Sequence, residues 1–153
     1  MALSIVVSGF ENGAEIPQKY TCMGNDISPE VNWDFEDERT KSFILIMDDP
    51  DAPRGTFTHW IIYFPDTIIR IIPEDYKKHS DFKGYIEGRN DFGLTGYRGP
   101  CPPPGHGYHR YFFRLYGLNE ALPIREESSS IEILTKIRGR ITEQGTYMGR
   151  FKR

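Results

Sequence analysis

The segment GPCPPPGHGYHRYFF, residues 99–113, joins two kinds of sequence. Its first part is rich in proline and glycine, which favours a stiff loop without regular hydrogen bonds. Its second part is aromatic and predicts a strand from Tyr108 to Leu118. Because alternate side chains of a strand share a face, His109, Tyr111 and Phe113 point the same way, with His109 directly after the loop. The segment therefore predicts a polar wall where a proline-rich loop meets a strand.

Short apolar runs separated by glycine and proline continue along the whole chain, which predicts many short strands. The run Phe43–Met47 is strongly apolar, as is typical of a strand that is buried on both faces. Further strands are predicted at residues 3–9, 31–33, 59–64, 67–73 and 146–152.

Residues 129–145 contain the one clear helical pattern. Ser129 and Glu132 fit a capping box, and Gly145 is the expected stop. Apolar residues follow at helical spacing, namely Ile131, Leu134, Ile137 and Ile141. Pro73 can start a short helix through His79, and a long irregular, glycine-rich connection follows it. The prediction is a mainly β fold with a few helices, one of them near the C-terminus.

The composition describes one ordinary domain that spans residues 1–153. A net charge of -3 leaves no electrostatic footprint for a nucleic-acid partner. The apolar run Ile5–Val7 is too short for a signal peptide, and no stretch reaches membrane length, so we expect a cytoplasmic protein without a membrane span. Cys22 and Cys101 are too few for a two-pair zinc site, and in the cytoplasm the ordinary state of both is a reduced thiol.

The residues that could bind a ligand or catalyse a reaction lie at the ends of predicted strands. Asp49 and Asp51 bracket Pro50 after the buried strand, and His59 opens the next strand. If those strands are neighbours, Asp49 and His59 lie close together. Together with His109 and Tyr111, these residue types suit anion binding, metal binding or hydrolysis by a histidine base, and each also suits a purely structural role.

Two of these chemistries have weaker support. No serine lies in a G-x-S-x-G elbow, and nothing marks Cys101 as an activated nucleophile. His106 and His109 have the i, i+3 spacing of helical metal ligands, but their segment is predicted to be loop and strand. We therefore expect no metal and no cofactor.

Several motifs together resemble the phosphatidylethanolamine-binding proteins, also called the Raf kinase inhibitor family. They are DPDAP at 49–53, THW at 58–60, GPCPPPG at 99–105 and HRYFF at 109–113. The segments at 22–33 and 88–105 are similar to the bacterial and archaeal branch, and the resemblance covers nearly the whole chain. It implies a fold of two β-sheets with a few helices at the edge, and a small surface pocket for phosphate and phosphoryl head groups.

The resemblance implies, motif by motif, that six residues of this chain line the pocket. Two loop residues, Asp51 and Gly105, are added from the sequence itself. The candidate ligand-binding residues are Asp49, Asp51, His59, Pro102, Pro103, Gly105, His109 and Tyr111. Gly105 belongs to the set because glycine admits a ligand close to the backbone. The resemblance also brings the loops of Cys22 and Cys101 together near the pocket, which makes a disulfide between them possible and leaves open whether it forms.

The function expected from this sequence is binding of a small anion, without catalysis. The family includes regulators of kinases and inhibitors of serine proteases, so the pocket is expected to control a partner of one of these kinds. The alternatives are a hydrolase that uses the histidine and aspartate cluster, and a serine protease inhibitor that acts independently of the pocket. We expect Asp49 to support His59 or His109, and anion binding to strengthen as the histidines become protonated.

A homodimer is predicted from the bacterial branch of the resembled family. Light scattering of the purified chain should give twice the 17.7 kDa mass of one chain. A monomer at high micromolar concentration contradicts this prediction.

Overall fold

The computed structural model describes residues 3–153. In chain order the strands are β1 (Ser4–Val7), β2 (Val31–Asp34), β3 (Ser42–Asp49), β4 (Phe57–Phe64), β5 (Ile71–Ile72), β6 (Ile86–Glu87), β7 (His109–Leu118) and β8 (Ile141–Phe151). One α-helix, α1 (Ser130–Ile137), lies between β7 and β8, and two single-turn 3₁₀ helices occupy Gln18–Tyr20 and Tyr76–Lys78. Neither α1 nor any other helix within residues 3–153 has the length and apolar character that crossing a bilayer demands.

The strands form two antiparallel sheets. The smaller sheet has the order β1-β2-β5, and the larger has the order β6-β4-β3-β7-β8. β3 lies at the centre of the larger sheet, and all eight of its residues are buried. The mainly β fold with two sheets and a helix near the C-terminus is therefore confirmed, as is the burial of β3 on both faces.

The first hydrophobic core lies between the two sheets. Trp33 of the smaller sheet packs against Phe43 and Phe64 of the larger one, with ring centroids 5.6 and 5.5 Å apart. Odd-numbered residues of β3 and β7 face this core, including Phe113 and Tyr111. The predicted alternation along β7 is thus confirmed, and it brings the polar residues at the strand ends to the same side as the core.

The second core covers the opposite face of the larger sheet. Ile44 and Ile46 of β3 pack here against α1, whose buried residues are Ile133 and Ile137. Ser129 caps α1, because its Oγ accepts a hydrogen bond from the backbone N–H of Glu132 at 3.2 Å. The predicted capping box thus begins this helix.

The predicted extent and face of the helix are wrong. α1 ends at Ile137, and Gly145 lies inside β8, where a Cβ atom would be 2.4 Å from the carbonyl oxygen of Leu3. Ile131 is 77% exposed and Leu134 is 46% exposed. Residues 141–151 pair with β7 along its whole length, and this pairing satisfies their backbone groups as a strand rather than as a continued helix.

The long connection between β4 and β7 is irregular, as predicted. The strand predicted at residues 67–73 is reduced to Ile71–Ile72, and the helix predicted at Pro73–His79 is reduced to the single turn Tyr76–Lys78. Tyr76 anchors this turn in the first core, where its ring stacks on Trp60 with centroids 5.6 Å apart. Core packing, rather than local propensity, therefore holds the segment.

The packing of α1 predicts different effects on stability for two isoleucine substitutions in the same helix. Ile133→Ala should lower the free energy of unfolding by about 2–5 kcal/mol, because it opens a cavity in the second core. Ile131→Ala, two residues away and exposed, should change it by less than ~0.5 kcal/mol. Urea unfolding followed by circular dichroism measures both, and equal effects would contradict the observed helix face.

Candidate functional site

The strands β3, β4 and β7 place polar side chains together at one edge of the larger sheet. Because these neighbours are antiparallel, the last residue of β3 lies beside the first residues of β4 and β7. Asp49 pairs with Phe57 at the start of β4, and His109 is the first residue of β7. Asp49, His59, His109 and Tyr111 therefore meet at this edge.

A β-bulge at His59 sets the direction of its side chain. Met47 of β3 pairs with Trp60, but the next pair along the ladder skips His59. An extra residue of this kind re-aims a side chain relative to the simple alternation of a strand. The His59 ring consequently contacts Tyr111 edge-on, with ring centroids 5.4 Å apart, on the same side of the sheet as Trp60.

These side chains line a cavity with a volume of about 210 Å³. Two loops close it, one after β3 and one that carries the proline-rich segment before β7. The lining residues are Asp49, Ala52, Pro53, Phe57, His59, Phe92, Cys101, Pro102, Pro103, His109 and Tyr111. Six of the eight candidate ligand-binding residues are among them.

A chain of hydrogen bonds runs through His109. Its Nδ1 lies 2.7 Å from Oδ2 of Asp49, and both side chains are almost fully buried. Its Nε2 lies 2.6 Å from Nδ1 of His106, an exposed residue of the proline-rich loop. Since an ionised carboxylate only accepts hydrogen bonds, Nδ1 of His109 carries a proton. Asp49 therefore supports His109, one of the two partners that the sequence allowed, and not His59.

His59 is held by a backbone carbonyl instead. Its Nδ1 donates to the carbonyl oxygen of Arg98 at 2.7 Å, which leaves Nε2 available to the cavity. Burial lowers the pKa of His59, against the opposing effects of that carbonyl and of the Asp49, Asp26 and Asp91 carboxylates. The stability that neutral His59 contributes is complete above the ordinary histidine pKa and declines as the pH falls below it, because the unfolded chain then binds the proton more readily.

Tyr111 lines the cavity as a neutral phenol. Its burial, with the nearby carboxylates of Asp49 and Asp51, raises the pKa of Tyr111 far above the usual range. The ring lies nearly parallel to that of His109, with centroids 6.4 Å apart. Tyr111 can therefore donate a hydrogen bond to a ligand oxygen at any physiological pH.

The structure places Asp51 and Gly105 outside the cavity lining. Arg110 forms two side-chain hydrogen bonds to Asp51, at 2.9 and 2.8 Å, and lowers the pKa of Asp51 to about 2. Gly105 adopts a φ of +76° and donates its N–H to the carbonyl oxygen of Arg153 at 3.1 Å. In this structure Asp51 holds the start of β7, and Gly105 makes a turn that a residue with a side chain would strain.

The proline-rich loop is fastened to the body of the protein at several points. Cys22 and Cys101 form a disulfide with their Cα atoms 5.4 Å apart, so the predicted proximity is confirmed, and the bond that the sequence left open is present in place of two reduced thiols. Gly99 passes so close to Tyr20 that a Cβ atom would lie 2.0 Å from its carbonyl oxygen. Arg153 donates from Nε to the carbonyl oxygen of Pro102 at 2.6 Å. The wall of the cavity is therefore built from parts of the chain that are distant in sequence.

Comparison with known proteins identifies the fold family. The family model described as Phosphatidylethanolamine-binding protein matches residues 7–152. The chain belongs to the phosphatidylethanolamine-binding protein family. It is 48% identical to a UPF0098 protein of Aquifex aeolicus over 99% of this chain and 89% of that protein. It is 42% identical to the UPF0098 protein PH1269 of Pyrococcus horikoshii over 97% of this chain and 76% of that protein.

Solved structures of this family share the architecture. The phosphatidylethanolamine-binding protein homologue CT736 of Chlamydia trachomatis superposes with a TM-score of 0.88 at 30% identity, over 99% of this chain and 98% of that one. Escherichia coli YbcL, a member of the mammalian family, gives a TM-score of 0.91 at 25% identity, over 100% and 99%. A carboxypeptidase Y inhibitor, solved in complex with its cognate proteinase, gives 0.57 at 15% identity, over 97% and 82%, and shows likeness of fold alone.

Phe57, Phe92 and His106 are among the residues of the site that sequence reasoning missed. Phe57 and Phe92 contact each other edge-on, with ring centroids 4.8 Å apart, and both line the cavity. Phe92 lies in the irregular connection, where no periodic signal marks a residue. His106 was visible as a histidine three residues before His109, but that spacing has a chemical meaning for metal ligands only on a helix. Within residues 3–153, no group of three His, Cys, Asp or Glu side chains converges in the way a metal ion requires.

The disulfide should stabilise the folded protein, and its reduction should reveal by how much. The bond spans 79 residues of sequence, so its reduction should lower the free energy of unfolding by about 4 kcal/mol through the entropy of the unfolded chain. Urea unfolding with and without a thiol reductant measures this loss. As a control, the Cys22→Ser/Cys101→Ser double variant should match the reduced protein and should not respond to reductant. An unfolding midpoint that is the same with and without reductant would contradict the prediction.

Proposed function

We propose that the cavity binds a small oxyanion, such as phosphate or the phosphoryl head group of a larger molecule. The observation that carries this proposal is the combination of two imidazoles and one phenol on the walls of one small, otherwise largely apolar cavity. His59 presents Nε2, Tyr111 presents a neutral hydroxyl, and His109 is held in place by Asp49. Groups of these types are hydrogen-bond donors to oxyanions once the imidazoles are protonated.

The size of the cavity favours a head group. Drug-sized ligands occupy pockets of about 300–1,000 Å³. The cavity here measures about 210 Å³ and has rigid walls that include Pro53, Pro102 and Pro103. A phosphoryl group fits such a volume, whereas the remainder of a larger ligand would extend past the exposed ring of Phe92 at the mouth.

Asp49 restricts the ionic form of the ligand. A carboxylate beside an anion is unfavourable unless a proton or a cation lies between them. His109 neutralises Asp49 only when its ring is charged, and neutral His59 offers a lone pair at Nε2 rather than a proton. The cavity therefore suits an oxyanion that carries a proton, or one with an ammonium group close by, and its affinity should rise as the histidines become charged.

The proposed role is binding rather than catalysis. Cys101 lines the cavity, but its sulfur is bonded to Cys22 and cannot act as a nucleophilic thiol. The lining residues include no serine, threonine or lysine that the Asp49–His109 pair could activate. A binding pocket in this fold suits control of a partner protein, and we place a kinase or a serine protease in that role. The carboxypeptidase Y inhibitor, bound to its proteinase, gives this part of the proposal support at the level of the fold.

Calorimetric titration with sulfate tests anion binding, because sulfate remains doubly charged across the range in which histidine titrates. Affinity should be higher at about pH 5.5 than at about pH 8.5, since binding is coupled to protonation of His59 and His109. His59→Gln should lose about tenfold in affinity at the lower pH, the size of one hydrogen bond to a charged group. Asp49→Asn should change the pH dependence, because it replaces the carboxylate that accepts the Nδ1–H of His109 by a neutral amide.

Three results separate this proposal from its alternatives. Equal sulfate affinity at both pH values, or unchanged pH dependence in Asp49→Asn, contradicts the proposed role of the histidines. The exposed His79 provides the matched control, and His79→Gln should bind like the unmodified chain. Turnover of phosphate or carboxylate esters that disappears in His109→Ala would replace binding by hydrolysis as the function.

A further inference from the structure

His106 forms a hydrogen bond with Nε2 of His109, the ring nitrogen that an anion in the cavity would need. Of the two nitrogens of His109, Nδ1 is bonded to Asp49 and Nε2 is bonded to Nδ1 of His106. The two imidazole rings are tilted by 61° with centroids 4.8 Å apart, so the contact is made through ring edges. Both nitrogens of His109 are therefore already used by the protein itself.

The number of protons on this pair determines whether the contact can exist. When the pair is neutral, His106 donates from Nδ1 to Nε2 of His109. When the pair holds one extra proton, His109 donates from Nε2 to His106, and the exposed Nε2 of His106 carries a hydrogen instead. With a second extra proton both facing nitrogens are donors and both rings are positive, so the hydrogen bond is lost.

The backbone around His106 allows its side chain to rotate away from His109. Gly105 and Gly107 flank it with φ values of +76° and +87°, and no other atom lies within 4 Å of the position of a Cβ on either. The backbone N–H of His106 is held by the carbonyl oxygen of Pro103 at 3.2 Å. A rotation about the side-chain bonds of His106, with the loop in place, therefore exposes Nε2 of His109.

We propose that His106 is a gate on the anion site: it caps Nε2 of His109 in the free protein and leaves when an oxyanion takes its place. The proposal rests on the proposed function, because it assigns a competitor to the same cavity. The gate opens by exchange, since the ligand oxygen replaces the Nδ1 atom of His106 as the acceptor for the proton on His109. Doubly protonated histidines open it without a ligand.

Several charged groups surround the pair and bias it. Asp49 from β3 accepts the hydrogen bond of Nδ1 of His109. Asp51 also lies near His109, but Arg110 neutralises it through two hydrogen bonds. Arg153, beyond the end of β8, lies against the proline-rich loop, where its Nε donates to the carbonyl oxygen of Pro102, and its charge acts on Tyr111. His59 faces the same phenol from β4. Asp49 is therefore the carboxylate bonded to His109, and when both rings carry a charge they repel each other.

Sulfate titration of His106→Ala tests the gate, with His79→Ala as the matched control. At about pH 7 the His106→Ala variant should bind sulfate about two- to tenfold more tightly than the unmodified chain, because the proton on Nε2 of His109 no longer has to leave a hydrogen bond to His106 before it bonds the anion. The difference should shrink toward about pH 5, where double protonation opens the gate in the unmodified chain. His79→Ala should match the unmodified chain at both values.

The outcomes distinguish failure of the gate from failure of the site. Sulfate binding to the unmodified chain with unchanged or weakened affinity in His106→Ala overturns the gate and leaves anion binding intact. Binding that appears only after His106→Ala supports the gate. Absence of binding in both proteins overturns the proposed function together with the gate. Ring ¹⁵N spectra give a second readout: the His106 signals must change when sulfate binds, and signals that stay fixed while sulfate is bound overturn the exchange.

Discussion

Burial of β3 on both faces is the constraint on which the rest of the structure depends. The smaller sheet covers one face and α1 with its preceding loop covers the other, so the strand contributes to both cores. Such a strand must be continuously apolar, yet it ends in Asp48 and Asp49, which are also buried. Buried carboxylates are costly unless they are paired, and here Arg114 bonds to Asp48 and His109 bonds to Asp49. The central strand β3 thus places the carboxylate of Asp49 at the edge of the larger sheet.

The pairing of Asp49 then fixes much of the site. It accepts the N–H of Asp51 at 2.8 Å and the Nδ1–H of His109 at 2.7 Å, which orients the loop after β3 and the imidazole together. With Nδ1 committed, Nε2 is the remaining ring nitrogen of His109, and His106 reaches it. A buried carboxylate, an oriented histidine and a second histidine at the surface therefore follow from one another, and they connect the interior of the protein to solvent.

The loops that close the cavity are fixed by contacts between distant parts of the chain. The disulfide joins Cys22 to Cys101, the close approach of Tyr20 requires glycine at position 99, and Arg153 holds the carbonyl of Pro102. Proline lowers the conformational entropy of the unfolded loop, and the cross-links restrict it further. A cavity with walls of this kind is formed before any ligand arrives, which lowers the entropy that binding must overcome.

Local sequence signals were sufficient for the strands β3, β4 and β7, for the capping box at Ser129 and for the motifs that indicated the family. Alternation in β7 placed His109 and Tyr111 on one face, and the apolar run in β3 predicted its burial, because both are properties of consecutive residues. Helical spacing around Ile131 and Gly145 misled, because periodicity reports which residues are apolar and not which surface is available to cover them. Pairing with β7 converted that segment into β8. The direction of His59 depends on a bulge in the β3–β4 ladder, the partner of His109 depends on strand order, and the contact of His106 depends on a loop turn. Each of these arises from contacts between segments far apart in sequence, which no local pattern encodes.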